Sequence, residues 1–110
     1  MFSVLENNTI QLTRGDTARL TVDIVDDKGE KYIVKENDVM VLTVKKATID
    51  TDYCLQKSIK GSNTIHIEPK DTAGLGFLKY KYDVQMTTAE GDVYTVVAPS
   101  TFELLEEVTD

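Results

Sequence analysis

Histidine, cysteine and clustered carboxylates are the side chains best suited to chemistry, and this sequence has few of them. His66 is the only histidine and Cys54 is the only cysteine. A zinc site usually needs three or four nitrogen or sulfur ligands, so this pair cannot supply one. A Ser-His-Asp triad can assemble from distant positions, but no GxSxG-type signature surrounds any serine. We therefore expect no catalytic, metal-binding or cofactor-binding residue, and we predict that the protein is not an enzyme.

Two pairs of aspartates resemble parts of a calcium-binding loop. Asp50 and Asp52 form a DxD motif, and Asp26-Asp27 begins a polar turn. Calcium loops use such carboxylates, but the remaining positions of an EF-hand loop are missing. Aspartate is also a common turn residue, because its side chain bonds to nearby backbone groups. We interpret both pairs as turn residues.

Two short motifs match recognition sequences of other protein classes. Arg14-Gly15-Asp16 spells the tripeptide that integrins recognise, and Asn7-Asn8-Thr9 fits the N-glycosylation pattern. The first lies between two predicted strands, so we interpret it as a turn. The second is not preceded by a secretory signal, because the N-terminus lacks a basic start and a long apolar run. We assign neither motif a function.

The two reactive side chains have ordinary surroundings. His66 is flanked by two isoleucines, so its side chain should point away from the core. Cys54 lies in a predicted strand, and no histidine or basic cluster beside it would activate the thiol. A single cysteine also excludes an internal disulfide, which suits a protein that folds in a reducing cytoplasm.

The tyrosines provide an alternative, because an aromatic platform can bind sugars. Tyr80 and Tyr82 share one face of a predicted strand with aliphatic residues, so we favour core packing for them. Tyr94 should lie on the adjacent hairpin strand. If the domain is instead a carbohydrate-binding module for host cell-wall sugars, we expect Tyr32 or Tyr53, outside the alternating run, to carry the affinity.

Strands are the elements that must position these residues, because apolar and polar residues alternate along the chain. In the clearest run, Leu78–Met86, every even position is apolar or aromatic. A central run, Val39–Val44, is apolar on both faces, which predicts a strand covered on both sides. Further strand-like runs are Thr9–Thr13, Leu20–Ile24, Tyr32–Val34, Ile65–Ile67, Val93–Ala98 and Thr101–Leu104.

Polar loops that contain glycine separate the runs. Asp26–Gly29, Lys60–Asn63 and Thr88–Gly91 have hairpin chemistry, in which glycine supplies a positive φ. Pro69–Ala73 can form one helical turn that begins with proline. About seven to nine short strands, spaced by turns every 8–12 residues or so, predict one all-β antiparallel sandwich or barrel over residues 1–110.

The charge of the chain excludes some partners. Acidic residues outnumber basic ones 19 to 12, and the net charge of −7 disfavours nucleic acid. No stretch approaches the roughly 18 apolar residues of a membrane span. Residues 45–81 nevertheless hold seven lysines and four acidic residues. This asymmetry would help head-to-tail assembly, although such asymmetry more often reflects a solvated surface. Lys45 and Lys46 end a predicted strand before an exposed loop and are too few for a nucleic-acid patch.

Several stretches, taken in order, resemble one family. They are Thr13–Leu20, Asp27–Gly29, Val41–Lys46, Leu55–Ile59, Ile67–Ala73, Tyr80–Gln85, Glu90–Thr95 and Ser100–Leu104. Together they cover nearly the whole chain and resemble the N-terminal domain of phage baseplate upper proteins, found in phages and prophages of Gram-positive bacteria. One departure is Gly74-Leu75-Gly76-Phe77, where the family has a single glycine shortly before the tyrosines.

The resemblance implies an immunoglobulin-like antiparallel β-sandwich without catalytic residues. It implies a structural and assembly module of the virion tail, synthesised in the bacterial host cytoplasm, whose partners are other tail or baseplate proteins or copies of itself. The domain would be a whole protein or the N-terminal domain of a longer one. Asp71-Thr72-Ala73 also echoes true immunoglobulin domains, but the tyrosine and cysteine that follow there are missing at that spacing. A carbohydrate-binding module and an unrecognised hydrolase are the alternatives.

Overall fold

The computed structural model describes residues 2–4, 8–25, 28–47, 51–76 and 79–106. These residues form ten strands and one helical turn, which confirms the all-β class. The elements are β1 (Phe2–Val4), β2 (Ile10–Thr13), β3 (Ala18–Thr21), β4 (Ile24–Val25), β5 (Lys31–Tyr32), β6 (Val39–Lys45), β7 (Leu55–Lys60), β8 (Thr64–Ile67), α1 (Pro69–Thr72), β9 (Lys79–Thr87) and β10 (Val93–Leu105). Within these ranges no helix has the length and apolar composition of a membrane span.

The strands form a sandwich-like arrangement of one large and two small sheets. The large sheet has the order β1-β2-β10-β9-β6-β7, and β3-β8 and β4-β5 form two-stranded sheets. The pairing of β2 with β10 is parallel, with Ile10 opposite Phe102, whereas the other strand pairs of the described residues are antiparallel. Local patterns cannot reveal this pair, because its strands lie near opposite ends of the chain.

Period-two alternation decides which side chains enter the core. Tyr80, Tyr82, Val84 and Met86 on β9 are all buried, which confirms the predicted face of this strand; Leu78 lies outside the described residues. The large sheet contributes most of one hydrophobic cluster, and β3 and β8 cover it. The other buried members are Ile10, Leu12, Ala18, Leu20, Val22, Met40, Leu42, Val44, Leu55, Ile65, Ile67, Phe102 and Leu104.

The central strand β6 is buried on one face rather than two. Met40, Leu42 and Val44 are fully buried, whereas Val41 and Thr43 on the other face are half-buried. The prediction of a strand covered on both sides was therefore wrong. Valine on the open face of a central strand is explained by its neighbours, because side chains of the flanking strands shield it from water.

The strand boundaries differ from the predicted runs in three places. Leu20–Ile24 is divided between β3 and β4, and the predicted run through Val34 ends at Tyr32, so the number of strands exceeds the prediction. The runs Val93–Ala98 and Thr101–Leu104 instead merge into β10. The pairing of β10 with β9 shifts register twice between Thr95 and Ser100, and the shifted stretch holds Pro99, which has no N–H to donate.

The glycine turns have different structural roles. Thr88–Gly91 joins β9 to β10 as an antiparallel hairpin, as predicted, and the amide of Gly91 donates to the carbonyl of Thr88 at 2.9 Å. Lys60–Asn63 instead carries the chain from β7 in the large sheet to β8 in a small one, so its hairpin interpretation was wrong. Asp26 and Asp27 lie outside the described residues, but the strands on either side of them do pair as a hairpin.

The predicted helical turn is confirmed as α1. The amide of Glu68 donates to the Asp71 carboxylate at 2.7 Å, and Lys57 on β7 forms an ion pair with the same carboxylate at 3.0 Å. Thr72 is fully buried and its hydroxyl accepts a hydrogen bond from the amide of Gly15 at 2.9 Å. The helical turn therefore ties the large sheet to the connection between β2 and β3.

Candidate functional site

The residues that could carry catalysis do not converge on one site. His66 is exposed on β8, as predicted, and its Nε2 accepts a hydrogen bond from Nε of Arg19 on β3 at 2.6 Å. Cys54 is half-buried and precedes β7, so its predicted place inside a strand was wrong. Asp52 is exposed, and Asp50 lies outside the described residues. Across the described ranges, no group of three or more His, Cys, Asp or Glu side chains is arranged to hold a metal ion.

The integrin-like tripeptide is built into the fold as a turn. The amide of Asp16 donates to the carbonyl of Thr13 at 3.0 Å, and Arg14 donates to the carbonyl of Leu75 at 3.3 Å. Together with the bond from Gly15 to α1, these contacts hold the tripeptide against the body of the domain. The prediction of a turn is confirmed. In the glycosylation-like motif, Asn8 is exposed and Asn7 lies outside the described residues.

Two of the tyrosines are core residues, as predicted. The hydroxyl of Tyr80 donates to the carbonyl of Gly76 at 2.9 Å, and that of Tyr82 donates to the carbonyl of Asn8 at 2.5 Å. Tyr82 also packs edge-on against Phe102, with ring centroids 6.3 Å apart. Burial raises the pKa of Tyr82 to about 12. Both rings are thus packed in the core rather than presented as an exposed aromatic platform.

Tyr94 and Tyr53 remain at the surface, and each lies beside a different cavity. Tyr94 is 52% exposed, although it belongs to the predicted hairpin strand, and Tyr53 is 57% exposed. Tyr94 lines an apolar cleft at one end of the sandwich, and Tyr53 lines a polar groove on the outer face of the large sheet. These two cavities are the candidate functional surfaces of the domain.

The apolar cleft lies between the β4–β5 hairpin and the start of β10, and has a volume of about 500 Å³. Met86 and Tyr94 are opposite each other in the β9–β10 pairing and form one wall. Ile24 and Tyr32, which are opposite each other in the β4–β5 pairing, form the other. The remaining lining residues are Asp23, Val25, Lys35, Thr88, Glu90, Asp92, Thr95 and Val96.

The cleft exists because the two layers of the sandwich have different lengths. The β3–β8 sheet ends where Thr21 pairs with Thr64, while β9 continues to Thr87. The inner face of the large sheet therefore extends beyond the small sheet and meets the short β4–β5 hairpin. Apolar side chains at this end of the sandwich remain in contact with water, because the two-residue strands β4 and β5 cannot cover them.

A buried carboxylate holds the hairpin in place beside the cleft. Asp38 is 2% exposed, and its Oδ2 accepts hydrogen bonds from the Tyr32 hydroxyl at 2.6 Å and from the Lys35 amide at 2.9 Å. The bond from Tyr32, followed by that from Lys35, lowers the pKa of Asp38. The same bond to Asp38, together with burial, raises the pKa of Tyr32 to about 12. Sequence reasoning missed Asp38, because nothing in a loop aspartate signals that it will be buried.

Two exposed apolar side chains line this cleft. Val25 is 67% exposed and Tyr94 is 52% exposed. Ile33 and Val93 are also exposed, but they are not among the lining residues. Scattered surface hydrophobics need no explanation, but exposed apolar side chains that meet at one cleft are typical of an interaction surface.

The polar groove crosses the outer faces of β6, β7 and β9 and has a volume of about 330 Å³. Thr43 lies between Gln56 and Asp83 in the strand register, and the Gln56 amide donates to its hydroxyl at 3.1 Å. Lys45 lies directly opposite Lys81. The groove is flanked by Thr51, Tyr53, Gln85 and Pro99.

The structure separates the two tyrosines that the carbohydrate hypothesis grouped together. Tyr32 lines the apolar cleft, where its hydroxyl is bonded to Asp38, and Tyr53 lines the polar groove. Their separate chain positions gave no signal of this, because the groove brings together residues from four strands and one loop.

A scan against protein-family models found no match to this chain, and neither did a search of curated proteins.

Proposed function

We propose that this domain is a non-enzymatic structural and assembly module of a phage or prophage tail baseplate, which contacts neighbouring tail proteins through the apolar cleft. The observation that carries the proposal is the pair of exposed apolar side chains that line the cleft, Val25 and Tyr94. An apolar patch of this kind costs solubility unless a partner covers it. The ordered resemblance of the sequence to baseplate upper proteins supports the choice of a tail.

An immunoglobulin-like topology is part of the same proposal. Tyr80 lies at the start of β9, and its hydroxyl donates to the carbonyl of Gly76, four residues upstream. The tyrosine corner of immunoglobulin domains makes a similar bond to the backbone a few residues upstream. The long β9–β10 hairpin and the cover formed by β3 and β8 are also in keeping with such a sandwich.

The charges around the cleft indicate what kind of surface the partner presents. Asp23, Glu90 and Asp92 lie at the cleft, against Lys35 as the one lining cation. Complementary charges set the orientation and rate of association more than its strength. The partner should therefore insert apolar side chains that are flanked by basic residues.

Mass spectrometry of purified tail particles tests the proposed role. Particles from the bacterium that encodes this chain should contain its peptides in stoichiometric amount with other tail proteins. Complete particles that lack the chain would show that it is not a virion component.

A pair of surface variants tests the role of the cleft. Tyr94→Asp should fold normally, since the side chain is half exposed, but should be lost from particles because it places a charge in the apolar wall. Tyr53→Asp is the matched control, with similar exposure at the polar groove. Equal incorporation of both variants into particles would contradict a contact through the cleft.

A further inference from the structure

We propose that the polar groove is a second binding site, which takes an acidic oligosaccharide. The proposal does not depend on the role in a tail, because it concerns a different surface from the apolar cleft. It is carried by the shape of the groove, by the hydrogen-bonding groups that line it, by the exposed ring of Tyr53 and by two facing lysines.

The size of the groove suits a small ligand. Its volume of about 330 Å³ lies at the lower end of the range of roughly 300–1,000 Å³ that is typical of small-molecule sites. Three neighbouring strands of the large sheet form its floor. Side chains on paired strands are positioned more precisely than side chains on loops, so the site needs little reorganisation to bind.

The lining of the groove matches the surface of a sugar. Gln56 and Gln85 each supply amide donors and a carbonyl acceptor, and Thr43 and Thr51 supply hydroxyls. Sugar hydroxyls need both donors and acceptors. Tyr53, 57% exposed at the edge of the groove, adds a flat apolar ring with a polar tip, on which the C–H face of a sugar can pack.

The charges favour a negatively charged ligand. Lys45 and Lys81 are directly opposite each other in the antiparallel pairing of β6 and β9, where like charges destabilise the pair. Lys81 donates to the hydroxyl of Thr101 at 3.3 Å, and Asp83 is the one acidic side chain among the described residues of the lining. An anionic group between the two ammonium groups would be attracted by both. The described lining residues comprise two lysines and one aspartate, a balance of +1, in a chain with a net charge of −7.

Titration of the full chain followed by ¹H–¹⁵N NMR tests the proposal. The probes are a hyaluronan tetrasaccharide, which has carboxylates on sugar rings, an uncharged N-acetylchitotetraose, and polyglycerol phosphate, which has negative charge but no ring. We expect the hyaluronan probe to shift the amides of Thr43, Gln56 and Gln85 more strongly than either other probe. Tyr53→Ala should weaken this binding by about tenfold, and Lys81→Gln should also weaken it.

Tyr94→Ala is the matched control, because its ring is similarly exposed but lies at the apolar cleft. It should leave the titration unchanged, and the spectrum itself reports whether each variant is folded. The proposal is overturned if hyaluronan shifts no groove amide or if Tyr53→Ala binds as the wild type does. It is also overturned if the uncharged sugar binds equally well, or if polyglycerol phosphate gives the same shifts independently of Tyr53.

Discussion

At the scale of single residues, successive side chains of β9 alternate between the core and the surface. Val84 is 2% exposed and lies opposite Leu42, whereas Gln85 is exposed on the other face. This assignment follows from the strand geometry alone, since successive side chains point to opposite faces. It is the part of the molecule that the sequence predicted most directly.

Aspartate at these two adjacent positions should have very different effects. Val84→Asp buries a charge without a partner and should cost several kcal/mol, on the order of 3 or more, which is enough to unfold a small domain. Gln85→Asp should change the free energy of unfolding by less than about 0.5 kcal/mol. Thermal melts of both variants check this, and similar melting temperatures would mean that the faces of β9 are assigned incorrectly.

The bond between Tyr32 and Asp38 makes stability depend on pH in two windows. The raised pKa of Tyr32 contributes stability that is present below its usual 10.0 and is lost as the pH rises towards about 12. The lowered pKa of Asp38 contributes stability that is present above its usual 3.8 and is lost as the pH falls through its lowered value. The hydrogen bond between the two side chains is the largest cause of both pKa shifts.

Tyr32→Phe should therefore destabilise the domain most at neutral pH. We expect a loss of about 1.5–3 kcal/mol near pH 7, the usual contribution of a hydrogen bond to a charged group. The difference from the wild type should shrink in strong acid, where Asp38 is protonated, and above pH 10.0, where the wild type loses its own contribution. Urea unfolding across the pH range measures this, and a difference independent of pH would count against the bond.

At the scale of elements, similar turn sequences lead to different connections. The loop before β5 and the loop before β8 both contain a glycine with positive φ, Gly29 at +78° and Gly61 at +74°. The first joins a hairpin and the second crosses between sheets. Local sequence predicts that the chain turns there. Whether the next strand pairs with the preceding strand or joins another sheet depends on tertiary packing.

The space around these two glycines differs, so substitution by alanine should lower the free energy of unfolding by different amounts. A side chain at Gly29 would meet nothing within 4 Å, whereas a Cβ at Gly61 would lie 3.0 Å from the carbonyl oxygen of Glu36. Gly29→Ala should cost about 1 kcal/mol, the penalty of a left-handed backbone for alanine. Gly61→Ala should cost clearly more, roughly 2 kcal/mol or above. Denaturant midpoints of the two variants compare them directly, and equal costs would contradict the contact with Glu36.

At the scale of the whole molecule, the buried apolar residues form one cluster that spans the large sheet and the β3–β8 sheet. Neither sheet can bury its apolar inner face alone, because each sheet shields the inner face of the other from water. The two sheets should therefore fold and unfold together.

Unfolding should consequently be a single cooperative transition. Urea curves followed by tyrosine fluorescence, to which the buried Tyr80 and Tyr82 contribute, should coincide with curves from far-ultraviolet circular dichroism. Separate midpoints would mean that the sheets unfold independently. Reductant should not move the midpoint, because Cys54 is the only cysteine and no internal disulfide can form.

The sequence by itself determined the all-β class, the buried face of β9 and the helical turn at Pro69, because strand alternation and helix starts depend on near neighbours in the chain. Only the tertiary structure decided that β2 pairs in parallel with β10, that Asp38 is buried beneath Tyr32, and that Tyr53 and Tyr94 line different cavities. Lateral strand neighbours are selected by packing between segments far apart in sequence, and a cavity forms where that packing is incomplete. Neither the lateral pairing of strands nor the position of a cavity can be predicted from the spacing of residues along one strand.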